Sequence, residues 1–158
     1  MPKNLNILKQ VDIFDGMSTA QLELISACCQ AKSFSAGEMI LPEGASSDEL
    51  YVIVQGEVEI LVNPALVSDQ SEQLEPVAIA TLERGQSFGE MALVDQGMRS
   101  ASARAKQDTR LLILPREQLI RLCEAHPRLG YRLMYNLAAD LAFKMRNSGL
   151  LIREEMLH

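Results

Sequence analysis

The sequence predicts an α+β fold: an antiparallel β-barrel or jelly roll of the double-stranded β-helix type, flanked by an N-terminal helix and two C-terminal helices. Three observations predict it. A helix-start signal stands at Ser18, short apolar runs near alternation fill residues 33–114, and a second helical pattern with a broad apolar stripe follows Pro115. A chain of 158 residues has room for one domain with a proper core, and too little for two ordinary domains and a linker, so residues 1–158 read as one unit.

The first helix is expected over residues 18–30. Ser18, Thr19, Ala20 and Gln21 fit a capping box, in which serine and glutamine side chains satisfy each other's free backbone N–H groups, and Met17 with Leu22 occupies the positions of a hydrophobic staple. From Phe34 the period shortens. EMIL, ELYVIVQ, VEILV and PVAIATL are strand-like runs, punctuated by PEG at 42–44 and by Gly56. Gly56-Glu57 is expected to join LYVIVQ to VEILV as a tight hairpin, and NPALVSDQSEQLEP to form a longer polar loop. Pro115 suits the first turn of a helix REQLIRLCEA, which stops near His126-Pro127 because the residue before proline disfavours helical angles. Pro127 opens the last helix, where Leu129, Leu133, Leu137, Leu141 and Met145 recur every fourth residue beside Met134, Ala138 and Ala142. The two C-terminal helices together are expected over residues 115–148. Helices of this kind are expected at the ends of the barrel, and such a barrel holds one small ligand.

Composition narrows the function. Hydrophobic residues at 47 % and charged residues at 23 % match an ordinary soluble protein, no segment is long and apolar enough to span a bilayer, and MPKNLNILKQVDIF lacks the apolar run of a secretory signal, so the expected location is cytoplasmic, with no membrane partner. Cys28, Cys29 and Cys123 have no metal-ligand spacing and are expected to be buried small apolar residues. A net charge of −6 works against general nucleic-acid affinity. Yet Arg99, Arg104, Lys106, Arg110, Arg116, Arg121, Arg128 and Arg132 are eight of the fifteen basic residues, which leaves room for a local anion site.

The stretch FGEMALVDQGMRSASA, residues 88–103, is the candidate for that site. GEMAL reads as a one- to two-turn helix whose opening Gly89 lets a backbone come close and whose first N–H groups, around Met91 and Ala92, favour an anion. Arg99 is the candidate fork for the remaining oxygens of a phosphate, and Ser100 adds a hydroxyl among small neighbours. Glu90 would repel a phosphate, so its oxygens are assigned to a donor elsewhere on the ligand, most simply a sugar hydroxyl. A 3′,5′-cyclic nucleotide offers both a singly charged cyclic phosphate and an adjacent free 2′-hydroxyl. A 2′,3′-cyclic phosphate lacks that hydroxyl.

These residues resemble the phosphate-binding cassette of the cyclic nucleotide-binding domains of catabolite-activator-type regulators, cyclic-nucleotide-dependent kinases and gated channels. ILPEGASSDELYVIVQGEVEIL resembles the early barrel of the same family, so the likeness covers residues 14–145. It implies that Glu90 takes the ribose hydroxyl, that Arg99 takes the phosphate, and that Gly89, Met91, Ala92 and Ser100 complete the cradle. Ile60 and Leu82 are implied as apolar wall for ribose and base. One departure stands out: where catabolite-activator-type proteins present hydroxyl side chains to the adenine from the long C-terminal helix, this chain has Lys144 and Met145.

Other readings of the same residues are blander. Glu90 and Arg99 taken alone would be a surface ion pair of small worth. A cupin-like metal site would need several converging ligands, whereas His126 and His158 are the two histidines and both lie outside the strand region; no metal, catalytic constellation or P-loop is expected. The expectation is therefore a non-enzymatic, stand-alone sensor of cAMP ahead of cGMP, with no further cofactor. It is expected to lack a DNA-binding domain, to form a homodimer through the 127–147 helix, and to signal to an effector protein of unknown identity. A ligand-free docking scaffold and a DNA-binding repressor built on the basic 99–132 region are the alternatives.

Overall fold

The computed structural model describes residues 5–41, 48–62, 77–89 and 101–147. A short helix α1 (Leu5–Leu8) and a 3₁₀ turn (Asp12–Phe14) precede α2 (Thr19–Cys28). Eight strands follow: β1 (Gln30–Phe34), β2 (Met39–Leu41), β3 (Glu49–Gln55), β4 (Glu57–Val62), β5 (Val77–Glu83), β6 (Ser87–Phe88), β7 (Ser102–Ala105) and β8 (Thr109–Pro115). Two helices, α3 (Arg116–Ala125) and α4 (Pro127–Asn147), complete the described chain. The strands form two antiparallel four-stranded sheets, β1-β8-β3-β6 and β2-β7-β4-β5, packed as a jelly-roll sandwich.

The apolar runs explain the layers. In β3, Leu50, Val52 and Val54 join the core shared with the helices, whereas Tyr51 and Ile53 face the core between the sheets. In β8, Leu112 and Leu114 face the helices, and Leu111 and Ile113 the sandwich interior. Strands covered on both faces read as continuous apolar runs, which is why LYVIV and LLIL lack alternation. The helices thus cover the outer face of the first sheet rather than the ends of a barrel, because β3 and β8 offer a second apolar face there. Leu5, Leu8, Ile13 and Phe14 of the N-terminal segment are buried in the same layer, although nothing in their spacing announces a helix.

Local signals set the helix ends. Ser18 caps α2 with both arms of the expected box, Gln21 N–H donating to the Ser18 hydroxyl at 3.1 Å and Ser18 N–H to the Gln21 side-chain oxygen at 2.9 Å. The helix ends two residues short of residue 30 because Gln30 already pairs with Ile113 across β1 and β8. Pro115 is the N-cap of α3, not part of its first turn: its ψ of 135° keeps it extended as the last residue of β8, opposite Glu49. α3 then spans REQLIRLCEA and stops at His126 as expected.

Gly56 does not turn a hairpin. β3 pairs with β8 and β6, β4 with β7 and β5, so at Gly56 the chain crosses from one sheet to the other. Its φ of 100° is a glycine conformation, and a Cβ there would lie 2.5 Å from Thr109 Oγ1 and 2.7 Å from the Asp108 carbonyl oxygen. The corner is wedged against the turn between β7 and β8, with the Thr109 hydroxyl donating to the Glu57 carbonyl at 3.1 Å. A two-residue signal cannot distinguish a hairpin from such a crossing, since the difference lies in which distant strands flank each side.

Candidate ligand site

Among the described residues the chain leaves the first sheet at β6 and enters the second at β7, and the residues expected to bind an anion lie between them in the sequence. Of the expected residues, Gly89, Ile60 and Leu82 are described; Glu90, Met91, Ala92, Arg99 and Ser100 lie outside the described residues. Gly89 has φ 81°, a conformation that disfavours any side chain, directly after β6. Phe88 before it turns into the sandwich and stacks on Tyr51 with centroids 4.9 Å apart and planes 6° from parallel. Alternation sends Ser87 to the other face, where it is 1 % exposed and its hydroxyl has no hydrogen-bond partner among the described residues.

An apolar floor lies on the inner face of the second sheet. Ile60 in β4 is paired with Ala80 in β5 on one side and with Ala103 in β7 on the other. Both neighbours are small, and Ile60 is half-buried against the interior core. The next rung pairs Val58 with Leu82 and with Ala105. Leu82 is 7 % exposed and belongs to that core, so it supports the floor more than it forms its surface. The floor carries no charge. The Glu59–Arg104 ion pair of 2.8 Å involves residues of alternate parity, which face outward. Such a floor offers contact to an apolar face and no charge of its own.

The polar side of α4 was not foreseen. Arg132, Asn136, Asp140 and Lys144 recur every fourth residue and so share a face. The Arg132 guanidinium packs beside Gly16, 3.6 Å from where a Cβ would stand. Asn136 donates its side-chain N–H groups to the carbonyls of Ile13 at 2.9 Å and Asp15 at 2.8 Å. The Lys144 ammonium donates to the Ser87 carbonyl at 2.7 Å and lies 3.0 Å from Asp140 Oδ2. That oxygen is buried and has no aligned hydrogen bond, so its link to Lys144 is one of charge. The Asp12 carboxyl is held above its ordinary 3.8 by burial first and by the Asp140 charge second, with Lys144 opposing. Lys144 therefore engages the strand before Gly89. The period of four in polar residues could have announced this row; its partners, more than fifty positions away, could not.

Other candidate chemistry is absent from the described residues. No three metal-ligating side chains gather, and no helix is long and apolar enough to cross a membrane. The three cysteines are half-buried rather than fully buried. Burial pushes their thiols up, that of Cys29 to about 12, which makes them poor nucleophiles.

Comparison with known proteins gives one consistent picture. The family model for the cyclic nucleotide-binding domain matches residues 31–126. The chain is similar to the cyclic AMP receptor protein of Thermus thermophilus, 32 % identical over 143 residues that cover 90 % of this chain and 61 % of the relative. It is also similar to Glutaminase 1 of Bradyrhizobium diazoefficiens, 31 % identical over 138 residues, covering 87 % of this chain and 21 % of the relative. The chain thus spans less than two thirds of each of these curated relatives. Its fold is similar to the crystal structure of a cyclic nucleotide-binding domain from Methylobacillus flagellatus, with a TM-score of 0.79, 26 % identity, and coverage of 96 % of this chain and 81 % of that one.

Proposed function

The chain belongs to the cyclic nucleotide-binding domain family, and from that premise we propose that it senses a 3′,5′-cyclic nucleotide, cAMP ahead of cGMP, without consuming it. Arg99 and the backbone of Gly89, Met91 and Ala92 with Ser100 take the cyclic phosphate, Glu90 takes the 2′-hydroxyl, and Ile60, supported by Leu82, lies under the ribose and base. The observation that carries this reading is that FGEMALVDQGMRSA lies in the sequence between β6 and β7, and that β7 then pairs Ala103 with Ile60 on the uncharged inner face of the second sheet. The likeness to the cyclic AMP receptor protein of Thermus thermophilus supports cAMP over cGMP.

Calorimetric titration tests it. Saturable binding of cAMP, lost in Arg99→Ala and weakened in Glu90→Ala, is expected. Silence with both cAMP and cGMP would favour the ligand-free scaffold.

We also infer that α4 pairs two copies of the chain. Its solvent side carries Tyr131, Tyr135, Ala138, Ala142 and Met145 in steps of four, three, four and three, the spacing of a coiled-coil seam. Tyr131 is 68 % and Tyr135 58 % exposed, an unusual cost for aromatic surface in a monomer. The buried row does not continue along this side. A step of four residues overshoots a full turn by about 40°, which carries the leucine row from buried Leu133 and Leu137 out to Met145, 47 % exposed. Tyr135→Glu is expected to halve the mass seen by light scattering. Binding in the pair shifts the population of α4 positions by no more than the difference in affinity between the two states.

A further inference from the structure

We propose that Lys144 is a positioning residue that ties the last turns of α4 to the entrance of the ligand segment, so that the two respond to ligand as one unit. The inference rests on the reading of residues 89–100 as a ligand site. Its own ground is geometric. β6 has two residues, and its ladder partner is β3 alone, through Tyr51–Phe88 and Val52–Ser87. An edge strand this short is weakly held, and a backbone carbonyl on it that meets an ammonium at 2.7 Å has one of its stronger restraints in that bond. The Ser87 carbonyl is two residues before Gly89, so a shift of β6 along or across the sheet is felt at the first backbone group of the proposed cradle.

Charge placement makes the tie specific to lysine at this position. Asp140, one turn back, is 13 % exposed and lies within 3.0 Å of the same ammonium, which is itself 26 % exposed in its side chain. The pair is shielded more than a surface ion pair, and removing the lysine alone strands the aspartate near Asp12, whose carboxyl is held up by burial first and by the Asp140 charge second. Asn136, two turns back, anchors the middle of α4 to Ile13 and Asp15 and does not touch β6. Lys144 is therefore a side chain through which α4 grips the strand before Gly89, and Asp140 lies beside that grip.

Hydrogen exchange read by mass spectrometry tests the tie, with the full chain compared as wild type, Lys144→Met, Lys144→Arg and the double variant Asp140→Asn/Lys144→Met. The double variant removes both charges, so loss of the tie is not confused with a stranded aspartate. Without nucleotide, peptides covering 85–89 and 140–147 are expected to exchange about tenfold faster in Lys144→Met and in the double variant, with partial recovery in Lys144→Arg and no change near Asn136. With saturating cAMP, both peptides of the wild type gain protection together. In the double variant the 85–89 peptide still responds, the 140–147 peptide does not, and affinity falls about tenfold. Unchanged exchange of both peptides in the double variant, or an intact cAMP response at 140–147, would overturn the proposal. Should wild type ignore both cAMP and cGMP, the ligand reading fails and with it the coupling, while faster exchange of the nucleotide-free variants would still establish the contact.

Discussion

The two halves of α4 are held by different forces. Its first half is sealed: Leu129, Leu133 and Leu137 are buried among Leu50, Val52, Leu112 and Leu119. Its second half is clamped by Lys144 on the Ser87 carbonyl and by the charge of Asp140, while Ala142, Phe143 and Met145 face outward. Apolar burial is non-directional and large, so it fixes where the helix lies and tolerates small rotations poorly. A clamp made of one ammonium and one carbonyl is worth less and can be exchanged for water. One helix is thus held by packing at one end and by a polar clamp at the other.

The sharpest way to break this contrast is to cut the sealed half. Leu133→Ala is expected to cost about 2–5 kcal/mol, because it removes a fully buried side chain and leaves a cavity among neighbours that cannot all collapse. Denaturant unfolding measures it, and a loss below about 1 kcal/mol would mean that the first half is not sealed. Next in size, Asn136→Ala removes two hydrogen bonds to backbone carbonyls and is expected to cost about 1–2 kcal/mol in the same assay. A cost matching that of Leu133→Ala would erase the distinction between packing and polar anchoring.

The smallest effect comes from acid. Asp12 has a raised carboxyl pKa in the folded state, so the folded protein holds more protons than the unfolded chain just above the ordinary value of 3.8. Its contribution is therefore most favourable below 3.8 and is lost as pH rises through the raised folded value. Asp12→Asn is expected to flatten that part of the melting-temperature profile and to raise stability slightly at neutral pH. An unchanged profile would remove Asp12 from the polar cluster at the second half of α4.

Much of the framework could be read from local chemistry. The capping box at Ser18 and Gln21, the span and stop of α3, and the strand-like runs were all visible because each is decided within a few residues. What escaped was decided at a distance. The hairpin expected at Gly56 became a crossing because β3 and β4 find their partners elsewhere in the chain, and β6 is too short to leave a pattern. Lys144 read as a departure from the family's adenine-facing hydroxyls, and a helix position alone does not say that a carbonyl 57 residues earlier waits beside it. Of the candidate site, the backbone freedom of Gly89 could be read from its place ahead of GEMAL, and its φ of 81° agrees, whereas Ile60 was named through the family resemblance alone. The alanines flanking Ile60 acquire meaning only through register.

One strand serves as a party wall. β3 sends Tyr51 into the chamber between the sheets, against Phe88, and sends Leu50 and Val52 into the helical layer behind it. A single thickness of backbone separates the two rooms, with no slack layer between them. Any displacement of the Tyr51 ring is borne by the same backbone whose next residues are packed in the layer that holds α4, so the two cores share one load without a lever between them.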